Sequence, residues 1–349
     1  MRERIISTAS QGEEEVRFTL ALRPKNFEQY IGQEKLLHKL GIAVKAAKGR
    51  GEPVEHILLH GPPGLGKTTL AHVIANEVVA QVHVVAGPSL TKGADLNGIL
   101  TRLEKGDVLF IDEIHRIPAI VEESMYSAME DYKIDFTTDA GMHARTMTVP
   151  IKPFTLIGAT TRIGLLTGPM RSRFGIVEHI DFYTPEALHE ILRRNADELK
   201  LKAEDQALWQ LANRSRGTPR VANRLLRRVR DYAAVEAKGK LTLPVAEEAL
   251  KLEGVDHVGL DAQDRAYLRT IIEVYDGGPV GIEAIAATMG EERDTLEDVV
   301  EPFLLQRGLV TRTRQGRRAT KPAYEHLKLQ YRPPKQSDEN LFDSTETSK

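Results

Sequence analysis

The sequence predicts an α/β domain built on a parallel sheet, followed by a small helical domain and a C-terminal winged-helix domain. Short apolar runs alternate with helical segments from about residue 19 to 183. Thr184-Pro185 then opens a stretch that carries only helical periodicity. Beyond residue 255, three helical segments lead into a strand and a basic turn, the plan of a winged helix.

In the first domain (1–183) the expected strands are Ile57–Leu59, Val82–Val85, Val108–Ile111, Phe154–Ile157 and Ile176–Ile180. Their spacing implies crossover helices and parallel pairing. In the second (184–254), Leu188, Ile191, Leu192 and Leu199 recur at helical spacing after Pro185. Thr218-Pro219 repeats the start signal ahead of Leu225, Leu226, Val229 and Tyr232. In the third (255–330), a helix from about Ala262 to Val274 ends at Asp276-Gly277-Gly278. A second carries Ile282, Ile285, Ala286 and Met289 and stops at Gly290. A third carries Leu296, Val299, Val300, Phe303 and Leu304 before Gly308, the strand Leu309–Thr311 and a turn at Gln315-Gly316. The polar ends, 1–18 and 331–349, are expected to be mobile or disordered.

At 349 residues the chain exceeds one ordinary domain, and 41% hydrophobic residues supply real cores. A net charge of −2 excludes a global nucleic-acid signature, so any such surface is a local patch. The absence of cysteine excludes disulfides, thiolate zinc sites and a cysteine nucleophile. MRERIISTASQGEEEVRF lacks the apolar core of a signal peptide. No apolar run approaches the roughly 18 residues that span a bilayer. The expected compartment is the cytoplasm, with no membrane contact.

The chemistry starts at GPPGLGKTT, residues 61–69, which fits G-x-x-x-x-G-K-[ST] between an apolar strand and a helix. Gly61, Gly64 and Gly66 let backbone N–H groups close on a phosphate, and the helix N-terminus adds positive charge. Lys67 would reach the β- and γ-phosphates of a nucleotide, and the Thr68 hydroxyl would ligate Mg²⁺. VLFIDE at 108–113 puts Asp112 and Glu113 at the carboxyl end of a buried strand, where ligands of open α/β sheets bind. Asp112 would hold Mg²⁺ through water, and Glu113 would polarise an attacking water. Thr161, at the end of the strand segment LIGATT (156–161), is placed to read the γ-phosphate. Arg173, before the last strand, suits an arginine finger offered to a neighbouring subunit. Arg220 follows Pro219 at a helix start, where a cation opposes the dipole, so its position argues for a phosphate partner.

Two further segments stay open on their residues alone. KIDFTTDAGMHARTMTVP at 133–150 reads as a hairpin turning near Asp139-Ala140-Gly141. Its Met147 and Val149 present an apolar edge either to a partner or to the chain's own core. Around Gly316, Arg312, Arg314, Arg317 and Arg318 form either a solvated basic loop or a phosphate-binding wing. Arg293, near the start of the third helix, adds a further contact to the second reading. His56 and His60 lie on one strand without a third ligand, which argues against a metal site.

In this order the elements resemble the AAA+ ATPases, and more narrowly the RuvB family of Holliday-junction motors. The resemblance rests on GPPGLGKTT, DEIHR at 112–116, IGATTR at 157–162, RSRFGI at 171–176, GTPR at 217–220 and EERDTLEDVVEPFLLQRGLV. It covers about residues 19–330, without departure at a catalytic position. It implies an AAA+ P-loop ATPase domain, a helical lid and a winged-helix head, with ATP and Mg²⁺ as the nucleotide and its cation. It adds Leu22, Arg23, Thr69, Glu130, Asp131, Tyr132 and Tyr183 to the nucleotide contacts. It implies a homohexameric ring around double-stranded DNA, two rings per Holliday junction, and the partners RuvA and RuvC. It also implies that the hairpin carrying Met147 and Val149 faces RuvA, that Arg312 and Arg317 face DNA, and a role in recombination, repair and the SOS response. A protein-remodelling or clamp-loader-like ATPase is the competing reading. The wing arginines argue against the first, and the winged helix against the second.

Overall fold

The computed structural model describes residues 22–137 and 146–331. The expectations for 1–18, for the Asp139-Ala140-Gly141 turn and for the tail from 332 lie outside the described residues.

Helix α1 (Glu34–Arg50) precedes β1 (Ile57–His60), and the glycine loop then feeds α2 (Lys67–Val78). β2 (Val82–Ala86), α3 (Gly93–Leu100), β3 (Val108–Asp112) and α4 (Ala119–Glu130) follow. A hairpin of β4 (Lys133–Thr137) and β5 (Thr146–Pro150) comes before β6 (Thr155–Thr160), the short α5 (Gly168–Ser172) and β7 (Ile176–His179). The main sheet runs β2-β3-β6-β1-β7, parallel at every pair. Each expected strand is present. Phe154 falls just outside β6, which instead runs on to Thr160 with every residue buried.

Both faces of the sheet are covered, which is why its strands read as continuous apolar runs. Ile57 and Leu59 of β1, with Val108 and Phe110 of β3, pack into a core shared with α1 and α2. Leu58, Leu109 and Ile111 point the other way, into a core with α3 and α4. Leu70, Val73 and Ile74 give α2 its buried stripe and pin the glycine loop above it.

The helical region comprises α6 (Pro185–Glu198), β8 (Lys202–Ala203), α7 (Asp205–Asn213), α8 (Pro219–Glu236), β9 (Lys240–Leu241) and α9 (Leu243–Leu252). The Thr184 hydroxyl caps α6 by accepting the Ala187 N–H at 3.3 Å, and Thr218 caps α8 by accepting that of Val221 at 3.4 Å. Leu188, Leu192, Leu225 and Val229 join the same core as β1.

The chain divides after Gly259 into two compact units. In the second, α10 (Ala262–Arg269) continues as a π-helical turn, Thr270–Val274, and α11 (Ile282–Met289) ends at Gly290 in the left-handed region. α12 (Arg293–Thr295) runs through a second π-helical turn, Leu296–Val300, into α13 (Glu301–Gln306). β10 (Val310–Thr313) and β11 (Gly316–Ala319) form the wing, and α14 (Lys321–His326) closes the unit. Gly316 has a φ of 133°, and a Cβ there would lie 2.4 Å from the Val280 carbonyl oxygen. The backbone that this glycine admits is therefore the unit's own, since Val280 bridges Arg317 of β11. No helix among the described residues is long and apolar enough to cross a membrane.

Candidate nucleotide site and nucleic-acid surface

The glycine loop is held from both sides by the sheet. The Gly61 N–H donates to Thr160 O at 3.2 Å, and the Ile180 N–H donates to His60 O at 2.8 Å. Gly61, Gly64 and Gly66 have φ values of 142°, 82° and 95°, which a side chain would strain. A Cβ on Gly61 would stand 2.6 Å from Ile180 O. Lys67, the first residue of α2, is buried, and its Nζ donates to Gly61 O at 2.8 Å and to Pro62 O at 2.9 Å. Thr68 and Thr69 follow in the same turn, partly exposed at the helix N-terminus.

Lys67 is also where distant segments converge. Burial pushes its ammonium down to about 8; Asp112 and Glu113 oppose that shift, and Arg220 adds to it. Asp112 ends β3 and accepts the Glu113 N–H on Oδ1 at 3.0 Å. Glu113 sits in the left-handed region, φ 49° and ψ 46°, a strained position for a residue with a side chain. Its carboxylate accepts Arg116 Nη1 at 2.9 Å, a partner the sequence reading did not name. Arg220 reaches the loop from α8, where its N–H donates to Gly64 O at 3.3 Å. Thr161 lies directly after β6 and is partly buried. Its neighbour Thr160 is buried and engaged, with its hydroxyl 2.9 Å from His115 Nδ1 and accepting the Arg162 N–H.

Beside the loop, between α2 and the helical region, lies a partly open cavity. Leu22, Arg23, Gly66, Thr69 and Tyr183 line it, so it gathers five of the expected nucleotide contacts. Tyr183 is fixed there by its hydroxyl, which donates to Tyr30 Oη at 3.1 Å and lies 3.3 Å from Leu65 O. Arg23 Nε is buried with no hydrogen-bond partner among the described residues, which suits an acceptor on a bound ligand. Sequence reasoning missed Tyr30, Arg194 and Asn223 on the same wall. Arg194 ties the wall together, donating to Gln29 O at 2.6 Å and to Leu22 O at 2.9 Å. Nothing local marks these residues, because each is ordinary in its own helix or turn.

Arg173 belongs to a different group. It caps the C-terminus of α5 and donates from Nη1 to Pro169 O at 2.9 Å. Its guanidinium lies 4.0 Å from the Tyr126 ring centroid, and its Nε is 3.1 Å from Glu130 Oε1. Glu130 is thus placed with the candidate finger. Tyr132 lies edge-on to Phe154 at 6.0 Å, and Asp131 is exposed.

His56 is a core histidine. Its Nδ1 accepts the Leu156 N–H at 2.9 Å, and its Nε2 lies 3.0 Å from Met129 O. His60 pairs instead with His179, the two Nδ1 atoms 3.1 Å apart.

The hairpin separates its two candidates. Ile134 pairs with Val149 and Phe136 with Met147 across the antiparallel ladder, so all four share one face. Val149 packs against the core, whereas Met147 is 55% exposed. Only the outer part of the apolar edge is open.

In the winged helix, Arg312 and Arg317 face each other across β10–β11, and both bond a carboxylate beneath them. Glu301 is fully buried. It accepts Arg312 Nε at 2.9 Å, Arg317 Nε at 2.6 Å and the Tyr267 hydroxyl at 2.8 Å. Burial pushes the Glu301 carboxyl up, but Arg317, Arg312 and Tyr267 outweigh it and hold it below the usual glutamate range. Arg317 is therefore not a solvated cation, since its side chain is only 14% exposed, whereas Arg312 keeps 46% of its surface in solvent. Arg314, at the turn, is exposed. The signal that sequence reasoning overlooked is Glu301 itself, a carboxylate on a helical face with Val300 and Leu304.

Residues 22–180 match the family model described as the Holliday junction DNA helicase RuvB P-loop domain. Residues 183–256 match the RuvB AAA lid domain, and 257–328 the RuvB C-terminal winged helix domain. The Holliday junction branch migration complex subunit RuvB of Desulfosudis oleivorans is 55% identical over 312 residues, 89% of this chain and 91% of the relative. That of Kosmotoga olearia is 53% identical over 327 residues, 94% of this chain and 95% of the relative. The solved Thermotoga maritima RuvB Holliday junction branch migration motor superposes with a TM-score of 0.82 at 50% identity. That superposition covers 89% of this chain and 100% of that one.

Proposed function

The chain belongs to the RuvB family of AAA+ ATPases, and from that premise we propose that it is the ATP-driven motor of Holliday-junction branch migration. The observation that carries the reading is the convergence of two distant segments on the glycine loop and Lys67: the end of β3 with Asp112 and Glu113, and the start of α8, where the Arg220 N–H donates to Gly64 O. The base and ribose enter the cavity lined by Leu22, Arg23 and Tyr183, and the phosphates follow the loop to the α2 N-terminus. Lys67 exchanges its loop carbonyls for the β- and γ-phosphates, and their charge offsets the burial of its own. Thr68 and Asp112 offer the hydroxyl and carboxylate oxygens that suit Mg²⁺, which would neutralise the phosphate charge.

Glu113 orients a water for in-line attack on the γ-phosphorus and takes up its proton. The bond from that phosphorus to the β,γ-bridging oxygen breaks, and ADP and phosphate leave. Thr161 helps place the water, and Arg220 carries the state of the phosphate to α8. Arg173 acts on the nucleotide of a neighbouring subunit in a homohexameric ring. Glu130, on the same surface, holds it there and accompanies it to that site. The exposed part of the hairpin around Met147 docks RuvA, and the winged helix grips double-stranded DNA. The motor works in the cytoplasm beside RuvC.

The test is ATP hydrolysis measured with and without four-way junction DNA and RuvA. Strong stimulation by the two together is expected. Hydrolysis indifferent to both would overturn the reading.

A further inference from the structure

Arg312 and Arg317, which the family resemblance gives to DNA, and Arg293, the further candidate, meet on one carboxylate. Glu297 Oε1 lies 3.2 Å from Arg317 Nη2 and 3.8 Å from Arg312 Nη2. Its Oε2 lies 3.5 Å from Arg293 Nε. Arg293 also pairs with Glu283 at 3.1 Å. These residues come from α11, α12, the π-helical turn and both strands of the wing.

The carboxylates differ in kind. Glu301, four residues after Glu297, is fully buried and takes three donors, so it belongs to the core of the unit. Glu297 keeps a side-chain exposure of 22% and lies at the rim, beside Arg293 at 54% and Arg312 at 46%. A phosphate reaching the more exposed Arg293 and Arg312 finds both already engaged by Glu297 behind them. It must share the arginines with that carboxylate or displace it.

Resting on the reading that the wing engages duplex DNA, we propose that Glu297 sets the strength of that grip. It gathers Arg293, Arg312 and Arg317 into a preformed patch and offsets their charge. The phosphates are then held weakly enough to be released at every step of translocation. Glu297 acts through the arginines and is a positioning residue, not itself a DNA ligand.

The experiment is duplex binding by the full chain, loaded with a non-hydrolysable ATP analogue, for Glu297→Gln, Glu297→Asp and Arg293→Ala. Glu297→Gln keeps the shape and frees the arginines from partly exposed ion pairs, so affinity should rise about five-fold at physiological salt. The salt concentration that releases half of the DNA should rise with it. Glu297→Asp keeps the charge and should bind as the parent does. A merely structural role predicts weaker binding for Glu297→Gln, the opposite sign. Should that variant fold poorly by thermal unfolding, Glu297→Ala must still tighten binding. Unchanged or weaker binding on removing the carboxylate overturns the proposal. Arg293→Ala separates the two levels. If it leaves affinity untouched, the patch is not the DNA surface; if it weakens binding while Glu297→Gln does not tighten it, only the role of Glu297 fails.

Discussion

Replacing Arg317 by Ala should damage the fold of the winged helix before it damages DNA binding. The arginine is 14% exposed and bonds Glu301 at 2.6 Å and Glu297 at 3.2 Å. Removing one partner of a buried ion pair typically costs about 3–5 kcal/mol, because the other charge stays buried and under-compensated. Arg312 and Tyr267 still bond Glu301, so the lower end applies, about 3 kcal/mol. In a unit of this size each kcal/mol moves the midpoint by roughly 4–8 °C, which makes a drop of about 10 °C or more. Hydrogen exchange read by mass spectrometry over residues 260–328 isolates this unit from the ATPase region. Adding Glu301→Gln to Arg317→Ala removes the stranded charge and should cost little more, or recover part of the loss. Acid supplies a second reading. The folded Glu301 pKa lies below its unfolded value, so its contribution is present above the ordinary glutamate range and lost as pH falls through the folded value. Arg317→Ala should flatten that dependence. An unchanged unfolding midpoint, or fully additive effects in the double variant, would refute the argument. DNA-binding loss in Arg312 or Arg317 variants is interpretable only once folding has been measured.

Three other outcomes follow from the ATPase unit. Glu113→Gln should bind ATP and hydrolyse it at least a hundred-fold more slowly, since the amide keeps its size and loses the charge that activates water; single-turnover kinetics near the parent rate would remove Glu113 from that role. Arg173→Ala should bind nucleotide yet depress hydrolysis in mixed rings by more than its share, and a strictly proportional fall would argue against action across a subunit boundary. Met147→Asp should lower RuvA capture without unfolding, while Val149→Asp should cost roughly 2 kcal/mol or more by burying a charge against the core. Undiminished capture by a folded Met147→Asp protein would return that residue to an ordinary surface role.

Much of the nucleotide site was legible because it is contiguous. A strand, a glycine loop and a helix start place Gly61, Gly66, Lys67 and Thr68 by backbone chemistry alone. The same holds for Thr184 and Thr218, whose hydroxyls cap the helices that their Thr-Pro pairs announced. Asp112 and Glu113 were readable because a buried apolar run has to end somewhere, and in a parallel sheet its carboxyl end faces the ligand. What the sequence could not supply was the partner of each charge. Glu130 and Arg173 are far apart in the sequence and meet only because the end of α5 places Arg173 against Tyr126 and Glu130 of α4. Val149 and Met147 have the same local pattern, and packing alone set one against the core and left the other open. Arg312 and Arg317 read as free cations until the helix carrying Glu297 and Glu301 lay against the wing. Motifs are local and travel with the chain, whereas burial and charge compensation depend on residues that the tertiary fold brings together from far apart.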